Sequence, residues 1–299
     1  MSMQPKSFDS QQEMFHPEYE LQYKRDFCLN DVALHHHDFY EIHYLISGDV
    51  TYTIGSRISR VMPGDILIIG PKELHQIYMR SESSAYERYV LSADPALLET
   101  LSSPQCNLLQ SLNPKNPSAV RQLRLQPADQ KQVLFLLETL LQESCENSFG
   151  SELQCKSLLT QLMVHINRLA TQQGDYYEAF SSASRLISQV IDYVNHHYNE
   201  NLSLDNLAEQ FFVSKYHLSH EFNRQVGTSI YRYIQKKRLQ IARELLSQGK
   251  KPNHISSECG FGDYAGFYRA FKTEYGFSPR HFIPPAQHQK HRKKHSPAE

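Results

Sequence analysis

The sequence predicts an α+β protein of two domains: a strand-built first half with two appended helices, then an all-helical second half that makes a helix-turn-helix twice. Three observations carry this. At 299 residues the chain has room for about two domains with separate cores. Its first third alternates short β-branched and aromatic runs with Gly and Pro breaks. Its last third repeats itself: Ser214, Leu218, Phe222, Gly227, Ser229, Tyr233 and Ile234 are answered 49 residues later by Asp263, Phe267, Phe271, Gly276, Ser278, Phe282 and Ile283.

Residues 1–20 are polar and read as a flexible arm. From Leu21 to about Ala93, "FYEIHYLIS", "VTYTIG", "DILIIG" and "YERYVLS" read as strands, broken at Gly48, Gly55, Pro63-Gly64 and Gly70-Pro71. Many short strands at close intervals point to a sandwich or barrel. Residues 102–127, with Pro104, Pro114, Pro117 and Pro127, read as an irregular connector. Two amphipathic helices follow. "PADQKQVLFLLETLLQES" puts Val133, Leu137, Leu140 and Leu141 on one side, and "ELQCKSLLTQLMVHINRLA" does so with Leu158, Leu162, Ile166 and Leu169. Their apolar faces exceed what a small barrel covers, so a homodimer through 128–145 and 152–170 is expected. Residues 171–184 read as the linker and 286–299 as a basic disordered tail.

In the helical half each repeat holds a first helix, a turn and a second helix, with Ser214 and Asp263 placed as N-caps. Leu218 with Phe222, and Phe267 with Phe271, lie four apart on one face, which leaves the other face free. Between the copies runs "SIYRYIQKKRLQIARELLSQGKK", a long helix with Lys236, Lys237 and Arg238 clustered on it and Gly249 at its end. From Ser181 to Glu299 there are 17 Lys and Arg against 10 Asp and Glu, or +7; the other 14 against 22 give −8, together the −1 of the whole chain. A basic half and an acidic half are expected when only one domain meets phosphate.

No apolar run suits a membrane span, and "MSMQPKSFDSQQEMF" lacks the basic and apolar regions of a secretory signal. Cys28, Cys106, Cys145, Cys155 and Cys259 are odd in number and form no CxxC pair, so reduced thiols and a cytoplasmic protein are expected.

The stretches "LAEQFFVSKYHLSHEF", "RLQIARELL" and "CGFGDYAGFYRAFKTEYGFSPRHF" resemble the AraC/XylS transcription regulators, over roughly Ile187–Ile283. The resemblance implies a DNA-binding domain at 185–285 with two helix-turn-helix units joined by a long helix. "LHHHDFYEIHYLISGD" and "MPGDILIIGPKELHQI" resemble the two cupin motifs, with Pro63-Gly64 and His75 set apart by ten residues. That implies a cupin-like β-barrel at 21–170, serving effector binding and dimerisation, with His35, His37, Glu41 and His75 converging inside. Strand alternation puts His35 and His37 on one face. Three readings stand side by side: a divalent metal site (Zn, Ni, Mn or Fe), a metal-free polar lining for an effector such as a sugar, titrating at pH 6–7, or a vestige of the fold bonded to backbone. His36 and His43 are expected at the surface.

A recognition helix presents its N-terminal residues to base edges. In the first unit these are Tyr216, Ser219, His220 and Asn223, with Lys215 nearer the phosphates. In the second they are Tyr264, Ala265, Tyr268 and Arg269, with Lys272 and Thr273 toward phosphate. Arg269 is the strongest direct reader, because guanidinium pairs bidentately with guanine. The sequence departs from the family pattern at His220, where a basic residue is usual, at Phe212, where the turn carries Gly, and at Gly266. The expected function is an effector-responsive activator that engages double-stranded DNA and RNA polymerase. The competing readings are a metal-dependent cupin enzyme and a DNA-binding protein that senses nothing.

Overall fold

The computed structural model describes residues 14–27, 33–79, 85–116, 119–146, 148–176 and 182–282. The first and last parts of the arm and tail readings, residues 1–13 and 286–299, lie outside these, as does Cys28. The chain divides into two compact units between Arg185 and Leu186.

The first unit holds eight described strands: β1 (Tyr19–Asp26), β2 (Tyr40–Ser47), β3 (Val50–Ile54), β4 (Arg57–Val61), β5 (Asp65–Ile69), β6 (His75–Met79), β7 (Tyr86–Ala93) and β8 (Gln122–Arg124). They form two antiparallel sheets, β1-β7-β2-β5-β8 and β4-β3-β6, rather than one closed barrel. Alternation along β2 decides the layering. Tyr40, Ile42 and Tyr44 join Ile66, Ile68, Tyr89 and Leu91 on the face that meets the helices α1 (Pro95–Thr100), α2 (Pro127–Cys145) and α3 (Ser151–Gln173). Leu45 turns the other way and packs with Val50, Tyr52, Ile54, Leu67, Ile69, Ile77 and Tyr86 between the sheets. The unit is therefore three layers: helices, five strands, three strands.

Several expectations change here. The arm ends earlier, because Tyr19 and Glu20 already pair with Ala93 and Ser92 in β1. The connector contains β8, whose Leu123 lies opposite Ile66. The linker is shorter at both ends. Residues 171–173 are the last turn of α3, the Asp175 carboxylate accepts from Arg121 N and Gln122 N (2.8 and 3.1 Å), and the next helix begins at Ser182. The argument for dimerisation through α2 and α3 also fails. Val133, Leu136, Leu137 and Leu140 pack with Leu158, Leu162, Met163 and Ile166 and with the five-stranded sheet, so one chain covers its own apolar faces.

The second unit comprises α4 (Ser182–His197), α5 (Leu204–Gln210), α6 (Lys215–Val226), α7 (Ile230–Ser247), α8 (Pro252–Glu258), α9 (Tyr264–Tyr275) and a 3-10 turn at Pro279–Phe282. The caps are those the sequence indicated. Ser214 Oγ accepts from His217 N (3.2 Å) and Asp263 Oδ1 from Gly266 N (2.6 Å), while Gly227 and Gly276 end α6 and α9 at φ 67° and 77°. Ser203 and Ser229 cap α5 and α7 in the same way. Leu218 and Phe222, and Phe267 and Phe271, are fully buried.

Both turns close with the same pair of backbone bonds. Phe212 N donates to Glu209 O and Val213 N to Ala208 O; in the second unit Gly260 N donates to Ser257 O and Phe261 N to Ser256 O. The repeat is thus 48 residues in the first helices and 49 in the second, Gly262 being the extra residue. Phe212, at φ 54°, takes the left-handed place that Gly260 fills at φ 79°, so the first turn keeps its shape despite its side chain.

The basic cluster on α7 is only partly available to DNA. Lys236 is 6% exposed and its Nζ stands 2.8 Å from Glu274 Oε1 of α9. Arg238 donates to the carbonyls of Tyr198 and Glu200, both at 2.7 Å.

Candidate functional site

In the second unit burial on one side of each recognition helix leaves a stripe on the other. On α6 the stripe is Tyr216, Ser219, His220 and Asn223, all exposed, with Lys215 beside it. Tyr216 is 81% exposed and stacks on His220, centroids 6.0 Å apart. On α9, Ala265, Arg269, Lys272 and Thr273 are exposed, whereas Tyr264 and Tyr268 are half-buried. Tyr264 lies against Phe267 (6.0 Å) and belongs to the core around Leu239 and Phe271, so it is more packing than reader. A Cβ on Gly266 would stand 3.4 Å from the Asp263 carboxylate, an ordinary contact, so the local packing does not require glycine there.

In the first unit His35, His37, Glu41 and His75 come together between the sheets, none more than 6% exposed. His35 and His75 exchange backbone hydrogen bonds as a cross-strand pair, 3.1 and 2.9 Å, which brings their rings together at 4.1 Å with a tilt of 58°. Each of the three imidazoles donates from Nδ1 to a carbonyl two residues away: His35 to Ala33 (2.9 Å), His37 to Phe39 (2.8 Å) and His75 to Glu73 (2.8 Å). A carbonyl can only accept, so each Nδ1 carries a proton and each ring turns its Nε2 toward the centre. His37 Nε2 lies 3.3 Å and His75 Nε2 3.6 Å from Glu41 Oε2.

His43 was not expected here. It lies two residues beyond Glu41 on β2 and therefore faces inward with it, Nε2 3.1 Å from Glu41 Oε2. His36 is buried as well. His43 shares the parity of His35, His37 and Glu41, so alternation counted from any of them turns it inward, and its lying further along the chain was no ground for a surface place. From His43 Nδ1 the chain of contacts continues to Tyr52 Oη (3.1 Å), then to Tyr86 Oη (2.5 Å). The Arg88 guanidinium lies over the Tyr86 ring and reaches Asp26.

Burial pushes His35 well below the usual imidazole range, helped by His75, and burial likewise lowers His43 against the pull of Glu41. Burial thus disfavours the imidazolium form at both, which runs against the neutral-range titration expected of His35. Burial alone would raise Glu41, but His43, His37 and His75 outweigh it and hold the carboxyl well below the ordinary range. The centre is thus an ionised carboxylate ringed by imidazole nitrogens. Ligand atoms about 2.1 Å from one centre in a tetrahedral array stand about 3.4 Å apart. The 3.3 and 3.6 Å separations match that edge, and the ligand atoms of His37, Glu41 and His75 lie within 4.8 Å of one another. The residues present fit a small divalent cation.

Two helix-turn-helix units that each present a stripe of side chains, in one chain with a sandwich enclosing a polar centre, define a DNA-binding transcription regulator with a ligand-binding domain attached. Comparison with known proteins agrees in both halves: residues 207–283 match the helix-turn-helix domain model, and residues 15–163 match the AraC-like ligand binding domain model. The chain belongs to the AraC family of transcription regulators. Among its relatives, the HTH-type transcriptional activator RhaS of Escherichia coli strain E24377A is 27% identical over 251 residues, 84% of this chain and 87% of the relative. RhaS of strain K12 / DH10B is 26% identical over the same length. Of solved structures, unsaturated fatty acid-bound ToxT from Vibrio cholerae superposes with a TM-score of 0.39 at 12% identity, covering 91% of this chain and 96% of ToxT. The C-terminal domain of AraT from Geobacillus stearothermophilus gives 0.34 at 26% identity, covering 38% of this chain and 100% of that domain.

Proposed function

We propose that this chain is an effector-responsive transcriptional activator that binds double-stranded DNA as a homodimer and acts on RNA polymerase, with the buried polar centre of the first unit as its sensing site. The relatives named as activators support the direction of regulation. The observation that carries the sensing site is the convergence of His37 and His75 Nε2 on one oxygen of Glu41, each ring fixed through Nδ1. Rings held through Nδ1 keep Nε2 for the centre, and Nε2 atoms converging on a carboxylate make a donor set that suits a cation once they are deprotonated. Two imidazoles and a carboxylate suit Zn, Ni, Mn or Fe. His35, tilted against His75, would orient that ring, and His43 would hold Glu41. Occupancy would neutralise Glu41 and remove its pull on β2, whose opposite face packs on α2 and α3. An effector shifts the regulator only by binding one arrangement better than the other.

The test is elemental analysis of protein purified without chelator, with sedimentation and reporter transcription alongside. About one metal ion per chain is expected, falling to near zero in the double variant His37→Ala with His75→Ala, which loses effector response while still binding DNA. A metal-free wild type whose melting is unmoved by added Zn or Ni would overturn the cation. A monomer at micromolar concentration on DNA would overturn the dimer.

A further inference from the structure

The two recognition helices carry equivalent positions 49 residues apart, yet their charges are used differently. In the second unit Arg269 and Lys272 are exposed on the outer stripe of α9, four and seven residues beyond Ala265. The positions that answer them in the first unit hold His220 and Asn223. The cations the first unit does have are held by carboxylates of the same unit. Lys215 Nζ stands 2.7 Å from Asp205 Oδ1 of α5. Arg224 binds Glu221 with Nε at 3.2 Å and Nη2 at 2.6 Å, and Gln225 Nε2 adds a third donor to the same oxygen at 3.0 Å. Arg224 answers Thr273, on the side of α6 turned toward phosphate when the stripe enters a groove.

Exposed ion pairs are weak, typically below about 1 kcal/mol, so either cation can swing away from its partner. Swinging does not remove the carboxylate. A phosphate approaching Lys215 or Arg224 meets Asp205 or Glu221 as well, and the net attraction stays small. Phosphate approaching Arg269 and Lys272 meets two positive charges, because the nearest carboxylate of α9, Glu274, faces inward to Lys236. On the joining helix Arg232 is exposed in the first turn of α7, whereas Lys237 and Arg243 are half-buried.

We propose that the second helix-turn-helix unit supplies the electrostatic grip on DNA, and that the first reads its half-site through uncharged side chains because Asp205 and Glu221 neutralise its two cations. Tyr216, Ser219 and Asn223, with His220, then discriminate bases by hydrogen bonds and methyl contacts, adding sequence preference with little salt dependence. The proposal rests on α6 and α9 being the groove-facing helices.

The test is the salt dependence of binding of the full chain to a 40-base-pair duplex of mixed sequence, by fluorescence anisotropy. Each phosphate neutralised contributes about 0.9 to the slope of log K against log salt. Arg269→Gln with Lys272→Gln is expected to flatten the slope by about one to two. Arg224→Gln is expected to leave it within about 0.3, whereas Glu221→Gln, which frees Arg224, steepens it by about one, as does Asp205→Asn through Lys215. Four of the five side chains are exposed and Glu221 is 12% exposed, and unchanged far-ultraviolet dichroism confirms folding of each variant. A slope that drops as far in Arg224→Gln as in the Arg269–Lys272 variant overturns the proposal, as does one that Glu221→Gln leaves unmoved. If the recognition helices were not groove-facing at all, the Arg269–Lys272 variant itself would keep the wild-type slope, which separates failure of the docking from failure of the division of labour.

Discussion

Phe212 and Gly260 occupy one position in two copies of the same turn, and substitutions there should shift stability in opposite directions. Gly260 sits at φ 79°, and a Cβ built on it would stand 2.8 Å from both Cα and the carbonyl oxygen of Asn199. Gly260→Ala therefore incurs the left-handed conformation, roughly 1–2 kcal/mol, and a clash with backbone that cannot swing aside, roughly 1–3 kcal/mol. A loss of about 2–5 kcal/mol is expected. Phe212 already carries the conformational cost at φ 54°, and its ring is 96% exposed, so removing it forfeits almost no packing. Phe212→Gly regains roughly 1–2 kcal/mol of strain and gives back about 0.5–1 kcal/mol through the freer unfolded chain. The net expectation is a gain of about 0–1.5 kcal/mol. Urea unfolding followed at 222 nm measures both values, and hydrogen exchange of α5 and α8 amides localises them. The reasoning fails if Gly260→Ala lies within about 0.5 kcal/mol of wild type, or if Phe212→Gly destabilises by more than about 1 kcal/mol.

Leu140 is fully buried among α3 and the five-stranded sheet, so Leu140→Ala should cost about 2–5 kcal/mol, and Leu137→Glu with Leu140→Glu should yield aggregated first unit rather than folded monomers; sedimentation and dichroism separate the outcomes. Burial raises the Cys259 thiol to about 12, so at pH 8 iodoacetamide should label the exposed Cys106 and Cys145 within minutes and Cys259 only after unfolding, as peptide mass spectrometry will show. His35 and His43 are held below the imidazole range in the folded chain but protonate near 6.5 when unfolded. Their contribution is therefore complete above that pH and is lost as pH falls beneath it, by up to about 1.4 kcal/mol per pH unit for each ring. Melting of the first unit should drop between pH 6.5 and 5; a flat profile there refutes neutral burial.

The helical half was readable because its signals are local. Ser214, Asp263, Gly227 and Gly276 act within one turn of their own positions, and Leu218 with Phe222 fix the buried face by period alone. The strands were readable only where β-branched runs are long, as in β2 and β5. The strands β4 ("RISRV"), β6 ("HQIYM") and β8 ("QLR") are short and polar, and exist because partners such as Tyr52 and Leu67 hold them in register. The polar centre was legible as residue types at one parity, which includes His43, whereas the burial of His36 at the other parity is set by its tertiary surroundings and carries no local signal. Lys236 shows the same limit: its neighbours in sequence suggested phosphate, and only the partner 38 residues away explains its burial.

That buried pair has a mechanical consequence for promoters. The 18-residue α7 spans about 27 Å, and Lys236 with Glu274 pins α9 to it, so the two recognition helices move as a single two-pronged plug. Once one prong is seated, the other meets its half-site at an effective concentration in the millimolar range without further search. A promoter with one degraded half-site can thus still be occupied through the intact one, while inserting five base pairs between half-sites turns the second away by about half a helical turn, of about 34 Å pitch. The rigidity that tolerates sequence decay in one half-site forbids drift in the spacing between them.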